Sequence, residues 1–541
     1  MFYTWGPRAI AALSFTLLAG GVAAEPSFWV GCDGYGKPET QSSKLGRGLA
    51  SALSLGLVAM PETYDPGGRA PDLAGVAACN EALENVGQSP DSWLRRASLL
   101  EARAIHDIEA DHAREAQKDV DAAREAAGGQ ASDIHFARST GLSLDLLQSY
   151  LSLRDGEDSE ASRLAARAAA ARPFSSGVQR VALFLMSFDD GSLKEQGAVA
   201  EQLDRLNPAV RADTSYILWR LGRFPQAWAN AFPLFGAGSS WADDATIVLD
   251  LEELQRSYLA AYSAARADQS VAARAVLATS RRRVASAIEI RDRNSNPPTY
   301  SSRKDMDRQR AALLDRADAW DRIIDAAILF QSKQTLAAQT LLLGRSNYPA
   351  SSALLSLISD LRTELWSSKW RGMIATDPSV LAELVQGSRE KRIARIGDEL
   401  FSILPQPEDV HMITRYSGQM FLSFKQGGFT ERQLGNGSTE ITFNANLFSR
   451  EAADEMVLLR AADLAERAGK QFALIDARHD YTRWSQTMRG GVPQGPKVQV
   501  GYESVIEVRF GEEGIGAPAI NVGEVNAALG SIYSAAKPKT P

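Results

Sequence analysis

Apolar side chains recur along most of the chain at the spacing of one helix face, and long alternating stretches are missing there. Between about residues 41 and 404 the sequence is rich in Ala, Leu, Arg, Glu and Asp, with breaks at Pro, Gly and Asn. Side chains three and four positions apart share one face of an α-helix, so this pattern predicts a succession of helices joined by short connections. The fold class predicted for the chain is therefore mainly α.

Small residues stand at fixed distances from turn residues within this helical region. The signature residues are Gly156, Ala161, Ala168 and Pro173 in one unit, and Gly222 and Ala227 in another. A turn glycine allows two helices to run antiparallel, and a small side chain in the second helix allows close approach to the first. A proline then ends the second helix. Each unit is therefore predicted to be a helical hairpin.

These distances resemble those of the tetratricopeptide repeat, in which a glycine, two alanines and a proline occupy the same relative positions. The resemblance covers about residues 90–350 and implies a solenoid of stacked hairpins that binds proteins or peptides and catalyses no reaction. The spacing between turns is irregular, and looser units begin at Asp111, Asp268 and Ser332, the last with Ala337 as its small residue. An irregular all-α domain with Ala-rich helices is the alternative.

The periodicity changes after Pro405, where the alternation typical of half-buried strands begins. Predicted strands cover Met412–Phe424, Thr439–Asn446, Gln471–Asp476 and Lys497–Phe510, and predicted helices cover about Ser449–Ala468 and Val522–Tyr533. This order predicts a small α+β domain built on an antiparallel sheet.

Part of this domain, from Ile441 to Arg483, is similar to a domain of uncharacterised bacterial envelope lipoproteins. The similarity rests on the run Leu458–Leu464, followed by Gly469, Phe472 and Asp476. It implies a location in the bacterial cell envelope and no catalytic activity.

The N-terminal segment has the features of a secretory signal peptide. Arg8 precedes an apolar run at 9–22, and small residues at 22 and 24 would precede cleavage after Ala24. The run is too short to span a bilayer, and Gly21 stands where a lipoprotein would carry its acylated cysteine. We therefore expect a periplasmic or otherwise exported protein that is not a lipoprotein. The alternative is a hydrophobic N-terminal helix of the fold itself.

Only two cysteines are present, Cys32 and Cys79. An even number of cysteines in an exported chain favours a disulfide bond between them, and two unpaired thiols are the alternative. The predicted boundaries are 1–24 for the signal peptide, 25–90 for a helical cap, 91–404 for the solenoid, 405–535 for the α+β domain and 536–541 for a flexible tail.

The amino-acid composition and the motifs of the chain argue against several classes of function. The chain is 45% hydrophobic and 23% charged with a net charge of −7, and without a strongly basic domain we expect no nucleic-acid partner. The basic segment 389–395 is interpreted as a solvated helix face, with peripheral contact to anionic lipid as the alternative. Neither a GxSxG nor an HExxH motif is present, and no cofactor or metal is expected.

One polar cluster carries weak candidates for catalysis: Asp476, His479, Asp480 and Arg483 follow the predicted strand Gln471–Asp476. A histidine near two carboxylates could act as a base, whereas a solvated connecting loop would give the same sequence. Our main hypothesis is an exported, non-catalytic scaffold that binds protein or peptide partners in the cell envelope. The alternative is an enzyme, or an enzyme subunit, that acts on a cell-wall polymer through its C-terminal domain.

Overall fold

The structure is a computed structural model, and it describes residues 28–36, 66–87, 92–236, 251–294, 300–345, 348, 351–364, 378–405, 428–445, 450–489, 492–512 and 518–533. The predicted signal peptide, the predicted tail and the strand predicted at 412–424 lie outside these residues.

The described residues are mostly helical, which confirms the predicted fold class. The helices up to the sheet are α1 Phe28–Asp33, α2 Asp72–Asn85, α3 Trp93–Glu109, α4 Ala113–Ala127, α5 Ile134–Arg138, α6 Thr140–Arg154, α7 Asp158–Ala171, α8 Ser176–Met186, α9 Leu193–Leu206, α10 Arg211–Arg220, α11 Phe224–Phe235, α12 Leu251–Arg266, α13 Ser270–Asn294, α14 Tyr300–Gln331, α15 Thr335–Leu343, α16 Ser352–Glu364 and α17 Pro378–Ile403. Short 3₁₀ turns cover Pro66–Gly68, Gly128–Gln130, Asp190–Ser192 and Pro208–Val210.

Among the described hairpins, five share one turn conformation. Their turn residues have φ between +59° and +82° and are Asp111, Gly156, Gly222, Asp268 and Lys333. In each turn, the amide of the following residue donates to the carbonyl oxygen five positions before it, over 2.7–2.9 Å. This left-handed turn satisfies a carbonyl at the end of the first helix and reverses the chain. The turns expected at Gly156 and Gly222 are thus present.

The small residue expected five positions after each turn is also present and inaccessible to solvent. These residues are Ala116, Ala161, Ala227, Ala273 and Ala338, each 0% exposed. A larger side chain at such a position would separate the two helices, because protein interiors tolerate little added volume. Turn and alanine therefore act together to define each hairpin.

One unit is shifted by a residue from its predicted position. The sequence suggested Ser332 as the turn and Ala337 as the small residue, but Lys333 takes the left-handed conformation and Ala338 is buried, while Ala337 is exposed. The hydrogen bond from the Gln334 amide to the Leu329 carbonyl closes the turn at Lys333. Without a glycine, the sequence does not mark which residue adopts the positive φ.

The C-terminal domain is a five-stranded antiparallel sheet with helices against it. Its elements are β1 Gly428–Gln433, β2 Thr439–Ala445, α18 Arg450–Arg467, β3 Phe472–Arg489, β4 Val492–Gly511, β5 Ile520–Asn521 and α19 Val522–Tyr533, and the strand order is β1-β2-β4-β3-β5. Ile441, Ile506 and Val508 are fully buried on the face toward α18 and α19. The predicted strands at 439–446 and 497–510 and both predicted helices are confirmed.

Strand β3 is longer than the sequence suggested. It was expected to end at Asp476, but it stays paired with β4 as far as Arg489. A bulge between Ile475 and Ala477 interrupts the alternation. The bulge moves the inward-facing positions by one residue, so that Arg478 is buried after Ile475. The polar stretch interpreted as a possible loop is therefore strand.

Candidate functional site

The first helices of successive hairpins form a groove, which we define by α3, α6, α8 and α10, and α17 lies in it. Ile393, Leu400 and Leu404 are at most 6% exposed and belong to the hydrophobic core of these hairpins. In stacked hairpin proteins, such a surface is the usual place where an extended partner binds. Here a helix of the same chain covers it.

Close approach of α17 depends on Gly397. A Cβ atom at this position would lie 2.5 Å from Tyr150 Oη and 3.6 Å from the Ile108 side chain. Tyr150 is only 2% exposed, so its ring has little space to move away. The absence of a side chain at 397 therefore lets the backbone of α17 pack against α6.

Polar contacts fix the middle of α17. Arg389 donates to the Leu153 carbonyl oxygen over 3.0 Å and pairs with Asp158. Arg392 donates to Ser187 Oγ over 2.9 Å and lies 4.4 Å from the centroid of the Phe188 ring. The basic segment 389–395 therefore directs two of its arginines to the hairpins. Five of the seven residues of the segment are nevertheless exposed, in agreement with the solvated face predicted for it.

The N-terminal helices reach the same groove through one arginine. Arg69 lies 4.3 Å from the centroid of the Phe401 ring of α17 and pairs with Glu109. It also donates to His106 Nδ1 over 3.1 Å, while His106 Nε2 donates to the Cys32 carbonyl oxygen over 2.7 Å. Cys32 forms a disulfide bond with Cys79, the pairing expected from the sequence.

A buried carboxylate joins the hairpins to the C-terminal domain. Glu455 of α18 accepts from Arg138 Nη2 at 2.5 and 2.6 Å, and from Arg172 Nε and Nη2 at 3.1 Å each. Tyr533 donates its hydroxyl to the same carboxylate over 2.8 Å. Arg172 and Glu455 are both 0% exposed. Hydrophobic contact reinforces the junction, because Phe174 and Leu206 belong to the core of the sheet domain.

A second charged cluster lies beside the first. Arg478 of β3 pairs with Asp454 of α18 and donates to Asp480 Oδ2 over 2.8 Å. Ser176 of α8 donates to Asp454 over 2.9 Å, and Ser504 donates to Asp480 over 2.6 Å. Burial raises the pKa of Asp454 to about 7, and Asp480 acts in the same direction, while Arg478 opposes both. The two carboxylates share one buried guanidinium within the domain, and the hydrogen bond from Ser176 to Asp454 links this cluster to α8.

The structure separates the four candidates for catalysis. Asp476 is exposed and paired with Arg509 at 2.6 and 2.7 Å. His479 is exposed and lies with its ring centroid 6.3 Å from that of Tyr481. Alternation along β3 places Arg483 on the face of His479, whereas Asp480, itself exposed, lies on the other face and accepts from the buried Arg478.

A cavity of about 250 Å³ lies between α8, α18 and the paired strands β3 and β4. Its polar lining includes Ser176, Arg180, Arg450, Asp480, Tyr481 and Tyr502. Of the four candidates, Asp480 alone lines it, and there its carboxylate is already bound to Arg478 and Ser504. The cavity therefore lacks the histidine that a base mechanism from this cluster would require.

Sequence reasoning missed Asp454, Glu455 and the hairpin residues that they contact. Asp454 and Glu455 interrupt an otherwise apolar stretch of α18, which is the one signal that the sequence offers. Their partners lie far away along the chain, since Arg172 precedes Glu455 by 283 positions. A pairing over such a distance leaves no pattern in the local amino-acid sequence.

One buried acid near the N-terminus has a perturbed protonation equilibrium. Burial raises the pKa of Glu101 to about 8, and Asp33 adds to the effect, while the Ser143 hydroxyl donates to Glu101 and opposes it. Folding therefore favours the protonated acid. The native state binds a proton that the unfolded chain releases near pH 4.5, so stability falls as pH rises from 4.5 to 8.

We expect Glu101→Gln to remove much of this pH dependence. Because glutamine has the shape of the protonated acid, the variant should match the wild type near pH 4.5 and exceed it by roughly 4 kcal/mol near pH 8. Chemical unfolding at a series of pH values measures the difference. The exposed Glu125→Gln on α4 serves as control and should follow the wild type. If the free energies of unfolding of Glu101→Gln and wild type changed in parallel with pH, this result would contradict a buried, neutral Glu101.

Models of protein families, curated protein sequences and solved structures contain no match to this chain. Among the described helices, none combines the length and hydrophobicity needed to cross a bilayer. Within the same part of the chain, no group of His, Cys, Asp or Glu side chains is arranged to hold a metal ion. The site must therefore be interpreted from its own geometry.

Proposed function

We propose that the protein is an exported, non-catalytic scaffold that binds a protein or peptide partner in the bacterial cell envelope. The observation that carries the proposal is the array of hairpins with one repeated turn and a buried alanine five residues later. This geometry supports the resemblance to the tetratricopeptide repeat, whose members mostly bind proteins or peptides.

The buried junction supports a scaffold in a second way. Glu455 ties the C-terminal domain to the hairpins through the buried guanidinium groups of Arg138 and Arg172, and Asp454 adds a hydrogen bond from Ser176. Breaking such a pair leaves an uncompensated buried charge, so the two parts should hold one relative orientation. A fixed orientation suits a protein that positions one partner relative to another. The similarity of 441–483 to a domain of envelope lipoproteins and the Cys32–Cys79 bond favour the envelope as its location.

The enzyme alternative has weaker support. It required Asp476, His479, Asp480 and Arg483 to converge in one pocket, but Asp476 pairs with Arg509 outside the cavity and His479 is exposed. We therefore favour binding over catalysis.

Crosslinking in intact cells tests the proposal. The tagged full-length protein should yield a small, reproducible set of envelope proteins, with crosslinked peptides in the hairpin array. An exported protein of similar size with the same tag is the control. Recovery of the same set with the control, or retention of wall fragments alone, would contradict the scaffold.

A further inference from the structure

We propose that α17 is an exchangeable occupant of the groove, and that the partner docks there by inserting an amphipathic helix in place of residues 389–400. This inference rests on the proposed function and specifies its binding surface. With α17 in the groove, the protein therefore covers its own docking site.

The groove fits a helix because it already holds one. Ile393, Leu400 and Leu404 are buried on one face of α17, seven and four residues apart. Positions separated by three, four and seven residues form a single stripe, and grooves that receive amphipathic helices select this spacing. A partner helix would need apolar residues at the same spacing.

Charge selects the orientation of the inserted helix. The Leu153 carbonyl at the end of α6 and the Asp158 carboxylate both accept from Arg389. The C-terminal end of a helix carries partial negative charge, and Asp158 adds a full one. A partner helix should therefore carry a basic residue one turn before its first apolar anchor, as Arg389 precedes Ile393.

Gly397 lowers the intrinsic stability of the native helix, and this leaves room for exchange. Arg392 is exposed, and it contacts a serine hydroxyl and two phenyl rings in ways that stabilise the bound helix. Gly397 permits close approach, but glycine inside a helix stabilises it less than alanine does.

Release of this helix leaves the buried junction in place. Arg450 of α18 donates to the Ser402 and Ile403 carbonyl oxygens at 3.4 and 3.3 Å, so the end of α17 is held by the C-terminal domain. The Glu455 cluster involves none of the residues 389–400. The exchangeable part therefore ends just before Ser402.

Neighbouring substitutions on opposite faces of α17 test the inference. Ile393→Asp places a carboxylate in the buried stripe, and Ala394→Asp places the same group on the exposed face. In the full-length protein, hydrogen exchange of residues 389–401 should rise in Ile393→Asp and stay unchanged in Ala394→Asp. Gly397→Val, which would collide with Tyr150, gives a second and independent way to release α17.

A fluorescent peptide of residues 386–401 then reports on the free groove. By fluorescence anisotropy, we expect the peptide to bind the Ile393→Asp protein at least about ten-fold more tightly than wild type or Ala394→Asp. A peptide with Arg392→Leu loses the hydrogen bond to Ser187 and the contact with the Phe188 ring and should bind several-fold more weakly than the native peptide. If either release variant folds and exposes α17 but binds no peptide, the inference is overturned.

The partner experiment separates the two proposals. Crosslinking to the envelope partner should increase in Ile393→Asp, and the free peptide should compete with it. A partner that crosslinks equally to all variants and resists the peptide would overturn the inference and leave the scaffold function intact. A partner recovered with none of the proteins would instead contradict the proposed function.

Discussion

Replacing Glu455 by Ala should destabilise the junction between hairpins and C-terminal domain by about 3–5 kcal/mol. The variant leaves the buried guanidinium groups of Arg138 and Arg172 facing each other without a carboxylate, and the Tyr533 hydroxyl loses its acceptor. Water cannot reach these groups, because Arg172 is 0% exposed. Urea unfolding followed by tryptophan fluorescence measures the loss.

Two further variants test whether loss of the buried charge, and not substitution in this helix as such, causes the destabilisation. Glu455→Gln keeps the shape and loses the charge, so its stability should fall between that of wild type and Glu455→Ala. Glu466→Ala removes an exposed acid from the same helix and should change stability by less than about 0.5 kcal/mol. Equal stability of Glu455→Ala and Glu466→Ala would show that the buried pairs do not hold the junction.

Removing the disulfide with Cys32→Ala and Cys79→Ala should destabilise the N-terminal cap by up to about 4 kcal/mol, as loop-closure entropy gives for a separation of 47 residues. The cap has a small core, in which the two cysteines are joined by Trp29, Ala82, Leu99 and Ala102. A core of this size contributes little by itself, so the covalent link should decide whether α1 stays in place.

Limited proteolysis is the measurement, with mass spectrometry to locate the first cleavage. The double variant should be cut first within residues 28–87, while the hairpins from α3 onward resist. Wild type treated with a reducing agent should behave like the double variant, which controls for the alanine side chains. Unchanged cleavage in both samples would mean that packing alone holds the cap.

The hairpins follow from local information. A left-handed turn and an alanine five positions later lie within one short stretch, so their roles at Gly156 and Ala161 can be seen without knowing the rest of the chain. The same holds for β2, α18 and α19, whose predicted bounds lie within a residue or two of the observed ones. The limit of local information shows at Lys333, where no glycine marks the turn.

Strand β3 shows where the local pattern misleads. Its polar second half has the composition of a loop, and only pairing with β4 keeps it extended. The bulge at Asp476 then decides which side chains enter the core, and this places Arg478 in the interior and His479 outside. The candidate cluster was therefore divided by a feature with no clear sequence signature.

By itself, the sequence determined the helical class, the hairpin turns at Gly156 and Gly222, the elements β2, α18, β4 and α19, and the pairing of the two cysteines, but it did not predict β1 or β5. Only the tertiary structure decided that α17 covers the groove of α3, α6, α8 and α10, and that Glu455 meets Arg138 and Arg172. The physical reason is distance along the chain. Turns and helix faces depend on residues a few positions apart, whereas buried ion pairs and groove contacts join residues that meet only after the whole chain has folded.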